Sequence, residues 1–262
     1  MCLLTFFPAG VMPDTAALRN GTYLNDDGHG YAIVADDHIL TGRGLDAGLM
    51  IEAFDAARHQ HPHGPALFHS RLGTHGKRSL DNCHPFPVGG DERTVLAHNG
   101  ILPAVVQPTK GDPRSDTRIT AEDFLPEFGS LRARRTRLRF QRWMAPHNKV
   151  VILTVDRRFK QPAYILNEKS GTWDGEIWYS NDGYLPFAPT RGSLAYRRGW
   201  EWPSWDELDQ AVDRCWHCHA IVDPLDGECR CCGLCLDCGE TPETCLCYTP
   251  ATTGKRIDPA GV

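Results

Sequence analysis

The first 200 residues alternate short apolar runs with turn-forming residues. Six runs are rich in β-branched or aromatic side chains and are flanked by Gly, Pro, Asn or Asp, which is typical of buried strands. They are Leu3–Phe7, Tyr31–Val34, Ala66–His69, Val95–His98, Val150–Leu153 and Ala163–Leu166. Two longer stretches, residues 46–60 and 117–143, are predicted to be helices. The pattern therefore predicts a mixed α/β layer domain.

The composition changes near residue 200 and divides the chain into four regions. Residues 1–190 hold the predicted α/β domain, and residues 191–213, which contain Arg, Gly, Trp and Pro, predict a linker with a short helix. Nine of the eleven cysteines fall within residues 214–248. Residues 249–262 are expected to be a frayed tail.

Charge and hydropathy narrow the classes of function. With 262 residues and 41% hydrophobic residues the chain can bury one large core and a smaller satellite. A formal net charge of -5 gives no overall attraction to nucleic acid or to anionic membranes. We find neither a secretion signal nor the roughly 20-residue apolar span of a membrane helix, and expect a cytoplasmic protein with no membrane partner. The Arg-rich residues 132–142 favour a solvated helix face, with an acidic or nucleic-acid partner as the alternative.

The cysteine spacings near the end of the chain are those of paired metal knuckles. A CxxC sequence followed by Gly can turn tightly around a thiolate-bound metal, and two such pairs complete a tetrahedral site. We predict two structural zinc ions, one on Cys215, Cys218, Cys229 and Cys232 and one on Cys235, Cys238, Cys245 and Cys247. Cys231, His217 and His219 leave the register of the first site open, and an iron–sulfur cluster is the alternative. Such a module folds around its metal and is predicted to dock a partner.

The first candidate for catalysis is Cys2, which directly follows the initiator methionine. Cysteine is small enough for methionine aminopeptidases to expose it, which leaves a thiol and a free α-amine on one residue. The ordinary pKa values, about 8.5 for a thiol and about 8 for an α-amine, allow the amine to accept the thiol proton near neutral pH. A cysteine at position 2 occurs by chance in many chains, so a catalytic role for Cys2 needs support from other residues of the sequence.

Polar groups follow two of the apolar runs, and a further pair precedes a predicted helix. Arg71 lies in a glycine-containing loop after a predicted strand, where a guanidinium can bind a carboxylate with two hydrogen bonds. Asn99 and Gly100 offer a side-chain and a backbone N–H for a developing oxyanion, although Asn-Gly is also the strongest short hairpin signal. Ser115 and Asp116 precede a helix, so they cap it or provide a carboxylate for a substrate ammonium.

Taken together and in this order, these segments resemble the class II glutamine amidotransferases over roughly residues 2–185. The matching motifs are Met1-Cys2, Arg71–Gly76 ending in Thr-His-Gly, Asn82–Phe86, His98–Gly100 and Ser115–Thr117. Later in the chain, Trp178–Asn181 looks like the closing strand of such domains. The early Arg-Gly-Pro-Asp of the family is missing. Asn25–Gly30 stands in its place, as in smaller stand-alone relatives.

The resemblance implies an α+β fold, the four-layer αββα sandwich of the N-terminal-nucleophile (Ntn) hydrolases, here followed by the small zinc-binding module. It also implies that Cys2 attacks the side-chain amide of glutamine while Asn99 and Gly100 hold the oxyanion. A γ-glutamyl thioester would form, and water would release glutamate from it.

The resemblance assigns substrate and partners as well. Arg71 would bind the α-carboxylate and Asp116 the α-ammonium, with Thr74 and His75 as further substrate-binding residues. Such domains feed ammonia to a synthetase, and the chain shows neither a P-loop nor a Rossmann fingerprint. We therefore expect a separate ammonia-accepting ligase and no organic cofactor. The alternatives are an autonomous hydrolase of γ-glutamyl amides, and a binding protein that retains the fold while its zinc knuckles contact protein or nucleic acid.

Overall fold

The computed structural model describes residues 2–23, 25–73 and 78–186, together with residues 229, 232–234 and 241. The predicted linker, residues 191–213, and the predicted tail, residues 249–262, lie outside the described residues. So does most of the cysteine-rich region.

Ten strands in the described residues form two antiparallel sheets. The first sheet has the order β3-β2-β4-β1-β10-β9 and the second has the order β5-β6-β7-β8. The strands are β1 Leu3–Phe7, β2 His29–Val34, β3 Ile39–Gly44, β4 Ala66–Ser70, β5 Phe86–Val88, β6 Asp91–Asn99, β7 Lys149–Thr154, β8 Ala163–Leu166, β9 Thr172–Asp174 and β10 Ile177–Tyr179. The six strands predicted from apolar runs are confirmed.

Helices flank the sheets. They are α1 Thr15–Tyr23, α2 Ala47–Gln60, α3 Asp116–Ile119, α4 Leu125–Phe128 and α5 Arg134–Trp143. Short 3₁₀ turns lie at Leu80–Asn82, Ala104–Val106, Glu168–Ser170 and Asp182–Tyr184. The predicted helix over residues 46–60 is confirmed as α2, which begins where the Asp46 carboxylate accepts a hydrogen bond from the Leu49 N–H at 2.9 Å.

The prediction of one continuous helix over residues 117–143 is wrong. A wide π turn, Thr120–Phe124, joins α3 to α4, and Pro126 in the first turn of α4 has no N–H to continue the regular ladder. Gly129 then adopts a φ of +132°, which ends the helical stretch, and Ala133 is extended. The chain restarts as α5 at Arg134.

The Arg-rich run contributes to packing as well as to the surface. Arg137 is buried, lies 3.9 Å above the Tyr164 ring and donates hydrogen bonds to the carbonyl oxygens of Leu131 and Arg132. Arg139 lies over the Phe128 ring at 4.9 Å. These contacts favour the packed-helix interpretation of this segment.

Side chains alternate between the two faces of each strand, so each sheet has one apolar face, and these two faces pack against each other. Leu4, Phe6 and Leu67 of the first sheet meet Val95 and Val151 of the second in one apolar core. Side chains one residue out of phase point away from this core because successive residues of a strand face opposite sides.

Helices cover both outer faces. On the first sheet Phe7 and Phe68 pack against Phe54 of α2. On the second sheet Ile152 packs in a core that includes Phe140 of α5. The described residues thus form four layers in the order helix, sheet, sheet, helix, and the expected mixed α/β fold with two stacked antiparallel sheets is confirmed.

No helix in the described part of the chain combines the length and the apolar character that a bilayer crossing requires.

Phe54 tests the outer helical layer. Its buried ring lies 5.3 to 5.4 Å from the rings of Phe7, Tyr31 and Phe68. We expect Phe54→Ala to lower the free energy of unfolding by about 3–5 kcal/mol, measured by urea denaturation. Leu49→Ala on the same helix is the control, because Leu49 is 65% exposed and should cost about 0.5 kcal/mol or less. Equal losses in the two variants would contradict this packing.

Candidate active site

The pairing of β1 with β4, the two central strands of the first sheet, brings two of the predicted site residues to the same end of that sheet. Cys2 shares the phase of Leu4, and Arg71 shares the phase of Leu67, so both face the space between the sheets. In the antiparallel pairing of β1 with β4, Leu3 lies opposite Ser70. Cys2 and Arg71 therefore come together just beyond the paired strands.

A cleft opens at this end of the domain. Its lining residues are Cys2, Arg71, Leu72, Gly73, His84, His98, Gly100, Ser115, Asp116 and Thr117. Four predicted site residues from separate segments, namely Cys2, Arg71, Gly100 and Asp116, are thus brought together. Thr74 and His75 lie outside the described residues.

The half-buried Cys2 thiol forms two hydrogen bonds with the backbone of Leu72. Its Sγ accepts a hydrogen bond from the Leu72 N–H at 3.2 Å and donates to the Leu72 carbonyl oxygen at 3.4 Å. Asn181 Nδ2 donates to the Cys2 carbonyl oxygen at 2.7 Å and fixes the backbone. Burial raises the pKa of the thiol, and the Leu72 N–H and the Arg71 guanidinium offset part of this rise. The thiol therefore needs a base to become a nucleophile near neutral pH.

Arg71 is buried and its backbone is held by the loop of residues 25–30. The Arg71 N–H donates to the Gly28 carbonyl at 2.8 Å, and the Asp27 N–H donates to the Arg71 carbonyl at 3.0 Å. Asp27 also accepts a hydrogen bond from the Gly73 N–H at 2.7 Å. A Cβ at Gly73 would lie 2.8 Å from Arg71 Nη1, so glycine leaves room for the guanidinium.

Gly100 lines the cleft, whereas the Asn99 side chain is buried and donates from Nδ2 to Ser180 Oγ at 2.8 Å. The hairpin interpretation of Asn-Gly is wrong, because β6 ends at Asn99 and the next strand begins only at Lys149. Gly100 has a φ of +144°, and a Cβ there would collide with Asn148 Oδ1. Only glycine fits this position without displacing Asn148.

Of the two roles that the sequence left open for Ser115 and Asp116, the structure shows the helix cap. The Ser115 hydroxyl caps α3 by accepting a hydrogen bond from the Arg118 N–H at 3.2 Å. The Asp116 carboxylate accepts from the Leu102 N–H at 3.0 Å and from the Thr117 N–H at 2.7 Å. Among the described residues that line the cleft, Asp116 supplies the one carboxylate and Arg71 the one guanidinium.

A pair of buried histidines beside the cleft was missing from the predicted site residues. His69 Nε2 donates to the His98 carbonyl at 3.0 Å, so neutral His69 must accept at Nδ1, where His84 Nδ1 donates at 3.0 Å. Burial lowers the pKa of His69 to about 3 and that of His84 well below 6.5. His84 Nε2 is then a hydrogen-bond acceptor, and it has no partner among the described residues.

His98 links the cleft to α5. Its Nε2 lies 2.8 Å from Asn148 Oδ1, and Asn148 Nδ2 donates to the Met144 carbonyl. Its Nδ1 lies 2.9 Å from Thr117 Oγ1. Burial lowers the pKa of His98, although the Asp116 carboxylate opposes this shift. The signal in the sequence was a histidine inside a buried apolar strand, where an imidazole requires partners.

Two of the eight predicted zinc ligands, Cys229 and Cys232, fall in the described part of the chain. The Gly233 N–H donates to the Cys229 carbonyl at 2.7 Å, and Gly233 has a φ of +70°, which is a tight turn of the predicted kind. In the described ranges, no group of three or more His, Cys, Asp or Glu side chains could hold a metal. The other ligands, Cys215, Cys218, Cys235, Cys238, Cys245 and Cys247, lie outside these ranges, so the zinc sites stay a prediction.

Comparison with known proteins gives a structural likeness only. No protein-family model and no curated protein matches the sequence. The chain is similar to glutamine phosphoribosylpyrophosphate amidotransferase from B. subtilis, with 15% identity and a TM-score of 0.44 over 68% of this chain and 41% of that enzyme. It is also similar to a glutamine aminotransferase class-II domain protein from Silicibacter pomeroyi, with 16% identity and a TM-score of 0.31 over 59% of this chain and 73% of that protein.

The chain spans less than half the length of the B. subtilis enzyme. The first of these structures is named as a glutamine amidotransferase and the second as a class-II domain protein. At such low identities and TM-scores the likeness assigns no activity to this chain, and function must be inferred from the cleft itself.

The buried histidines predict a loss of stability in acid. Because the pKa of His69 in the folded state lies below its ordinary value of 6.5, the unfolded state takes up the proton first. The stabilisation is complete above about pH 6.5 and declines as the pH falls toward 3. His69→Gln, which does not titrate, should therefore show a shallower decline in urea midpoint between pH 7 and 5. Exposed His59→Gln is the control, and a slope in His69→Gln equal to that of the unmodified protein would contradict the assignment.

Proposed function

We propose that the domain within residues 2–186 is an Ntn-type glutaminase that releases ammonia from glutamine and supplies it to a separate enzyme. The observation that carries the proposal is the meeting of Cys2, Arg71, Gly100 and Asp116 in one cleft. The reaction requires a thiol as the nucleophile, a cation and an anion to bind the two charged ends of glutamine, and an open backbone position beside the oxyanion. The stacked antiparallel sheets between helical layers agree with this class of fold.

The charges of the cleft suit the two ends of an amino acid. Arg71 can bind an α-carboxylate through two parallel N–H donors, and Asp116 can attract an α-ammonium. Asp116 is held in place by the N–H groups of Leu102 and Thr117, so its negative charge is fixed before a ligand arrives. This arrangement leaves the side chain of the ligand to reach the Cys2 thiol.

The chemistry begins with removal of Met1, which frees the α-amine of Cys2. The amine takes the thiol proton, and the Leu72 N–H stabilises the thiolate. The thiolate attacks the amide carbon of glutamine, and the oxyanion accepts hydrogen bonds from Gly100 and Asn99. The tetrahedral intermediate expels ammonia with the proton carried by the amine, and water then cleaves the γ-glutamyl thioester to glutamate.

The neighbouring histidines do not supply this proton. The pKa values of His69 and His84 are lowered by burial, so both rings are neutral near pH 7. His84 acts in this proposal as a fixed acceptor beside the cleft. Proton transfer is thereby left to the α-amine of Cys2.

We further propose that residues 214–248 bind two structural zinc ions through the eight cysteines named above and dock the ammonia-accepting ligase. The support is the cysteine spacing together with the tight turn between Cys229 and Gly233. Zinc would supply folding energy to this module, and it takes no part in the reaction at Cys2.

Loss of Cys2 should abolish turnover. Intact mass should show that Met1 is absent, and glutamate release from glutamine should fall by about a thousandfold or more in Cys2→Ala. Cys83→Ala is the matched control, since Cys83 is a buried cysteine of the same domain outside the cleft lining. A retained Met1 in active protein, or an active Cys2→Ala, would refute the mechanism. Preference for other γ-glutamyl amides, unaffected by a co-purifying ligase, would favour the autonomous hydrolase.

Arg71→Lys tests the carboxylate site. Lysine keeps the charge but loses the fork of two donors, so we expect the KM for glutamine to rise about 10- to 100-fold, with a smaller change in kcat. Arg78→Lys is the control, because Arg78 belongs to the same region and pairs with Asp27 at 3.8 Å with a half-exposed side chain. Steady-state glutamate release measures both. An unchanged KM in Arg71→Lys would exclude the assigned role.

A further inference from the structure

Two buried hydrogen-bonding groups between the sheets are mismatched. Ser180 Oγ accepts from the Leu4 N–H at 2.9 Å and from Asn99 Nδ2 at 2.8 Å. Ser180 Oγ only accepts in these bonds and donates none among the described residues, and Asn99 Oδ1 has no donor there. Ser180 and Asn99 are 0% and 1% exposed, so bulk water does not satisfy either group.

Rotation of the Asn99 amide by half a turn satisfies both of these groups and leaves the Nδ2 donors as the unpartnered ones. A side-chain amide has nearly the same shape in both orientations, and its oxygen and nitrogen are told apart by their partners. The Leu4 N–H can only donate, so Ser180 Oγ must accept there and can direct its hydrogen toward Asn99 Oδ1. One rotation thus satisfies two groups whose burial without partners would cost about 1–3 kcal/mol each.

The rotated amide has uncommitted donors. Asn99 Nδ2 then occupies the place of the oxygen, which has no hydrogen-bond partner among the described residues. The next residue, Gly100, lines the cleft. A pair of unsatisfied donors beside an open backbone position is the arrangement that stabilises a developing oxyanion.

We propose that Ser180 is a positioning residue that turns the Asn99 amide so that its N–H groups are free for the oxyanion. The inference rests on the proposed glutaminase function and deepens it. Ser180 Oγ is the one side-chain hydrogen-bond partner of Asn99 in the described part of the chain. Ser180 is fixed in turn by Leu4, two residues after the nucleophile: the Ser180 N–H donates to the Leu4 carbonyl oxygen, and the Leu4 N–H donates to Ser180 Oγ, both at 2.9 Å.

Ser180→Ala tests the positioning role. We expect kcat for glutamine hydrolysis to fall about 10-fold or more, because the amide loses the donor that selects its orientation. The dissociation constant of glutamine, measured by calorimetry in a Cys2→Ala background, should change less than about twofold, since Arg71 and Asp116 are untouched. A purely structural role would weaken binding and turnover together.

A double-mutant cycle tests whether Ser180 acts on kcat through the Asn99 amide. Once Asn99→Ala has removed the amide, adding Ser180→Ala should reduce kcat no further. Ser180→Cys, which keeps a weak donor, should lie between the wild type and Ser180→Ala, and it carries the test if the alanine variant does not fold. Thr94→Val is the control, because it removes a buried hydroxyl pair of 2.8 Å in the second sheet and should leave kcat unchanged.

The outcomes separate the two proposals. An active wild type with full kcat in Ser180→Ala, or with losses that multiply in the double variant, overturns the role of Ser180 alone. A wild type that lacks Met1 but releases no glutamate overturns the proposed function and this inference with it. Coupled losses with unchanged glutamine binding support both.

Discussion

The antiparallel register of β1 on β4 is the constraint on which the rest of the site depends. With Leu3 opposite Ser70, the residues just beyond the pair are Cys2 and Arg71, and both face the space between the sheets. A shift by one residue would turn every side chain of β1 to the other face. The apolar core enforces this register, since Leu4 and Phe6 would otherwise leave the contact with the second sheet.

The interface between the sheets changes character along its length. It is apolar where Leu4 and Phe6 meet Val95, and polar at the cleft, where hydrogen bonds cross from one sheet to the other. Ser180 meets Asn99, and His69 meets the His98 carbonyl, at 2.8 and 3.0 Å. Buried hydrogen bonds are stronger than those in water because the local dielectric constant is low. Since these residues lie on strands or directly after them, the bonds hold the walls of the cleft in fixed positions.

Most of the fold followed from local patterns, and the exceptions have physical causes. Strands with several buried β-branched residues were predicted, but β5, β9 and β10 are three residues long and β3 is half exposed, so apolar periodicity marks none of the four. Of these, β10 was indicated by the resemblance of Trp178–Asn181 alone. The break between α4 and α5 was signalled by Pro126 and Gly129, which the apolar periodicity obscured. In the site, Cys2, Arg71, Gly100 and Asp116 were predicted through their motifs. The His69–His84 pair was missed because it depends on a contact between distant segments that no local pattern encodes.

The desolvated thiol of Cys2 has a consequence for the chemical durability of the protein. Peroxides and electrophiles react with the thiolate, and burial raises the pKa of this thiol, so the resting side chain is mostly in its inert form. The same burial that makes a base necessary for attack also shields the sulfur from oxidation to sulfenic acid. Under the proposed function, reactivity is then confined to the fraction of the protein in which the α-amine of Cys2 has taken the thiol proton.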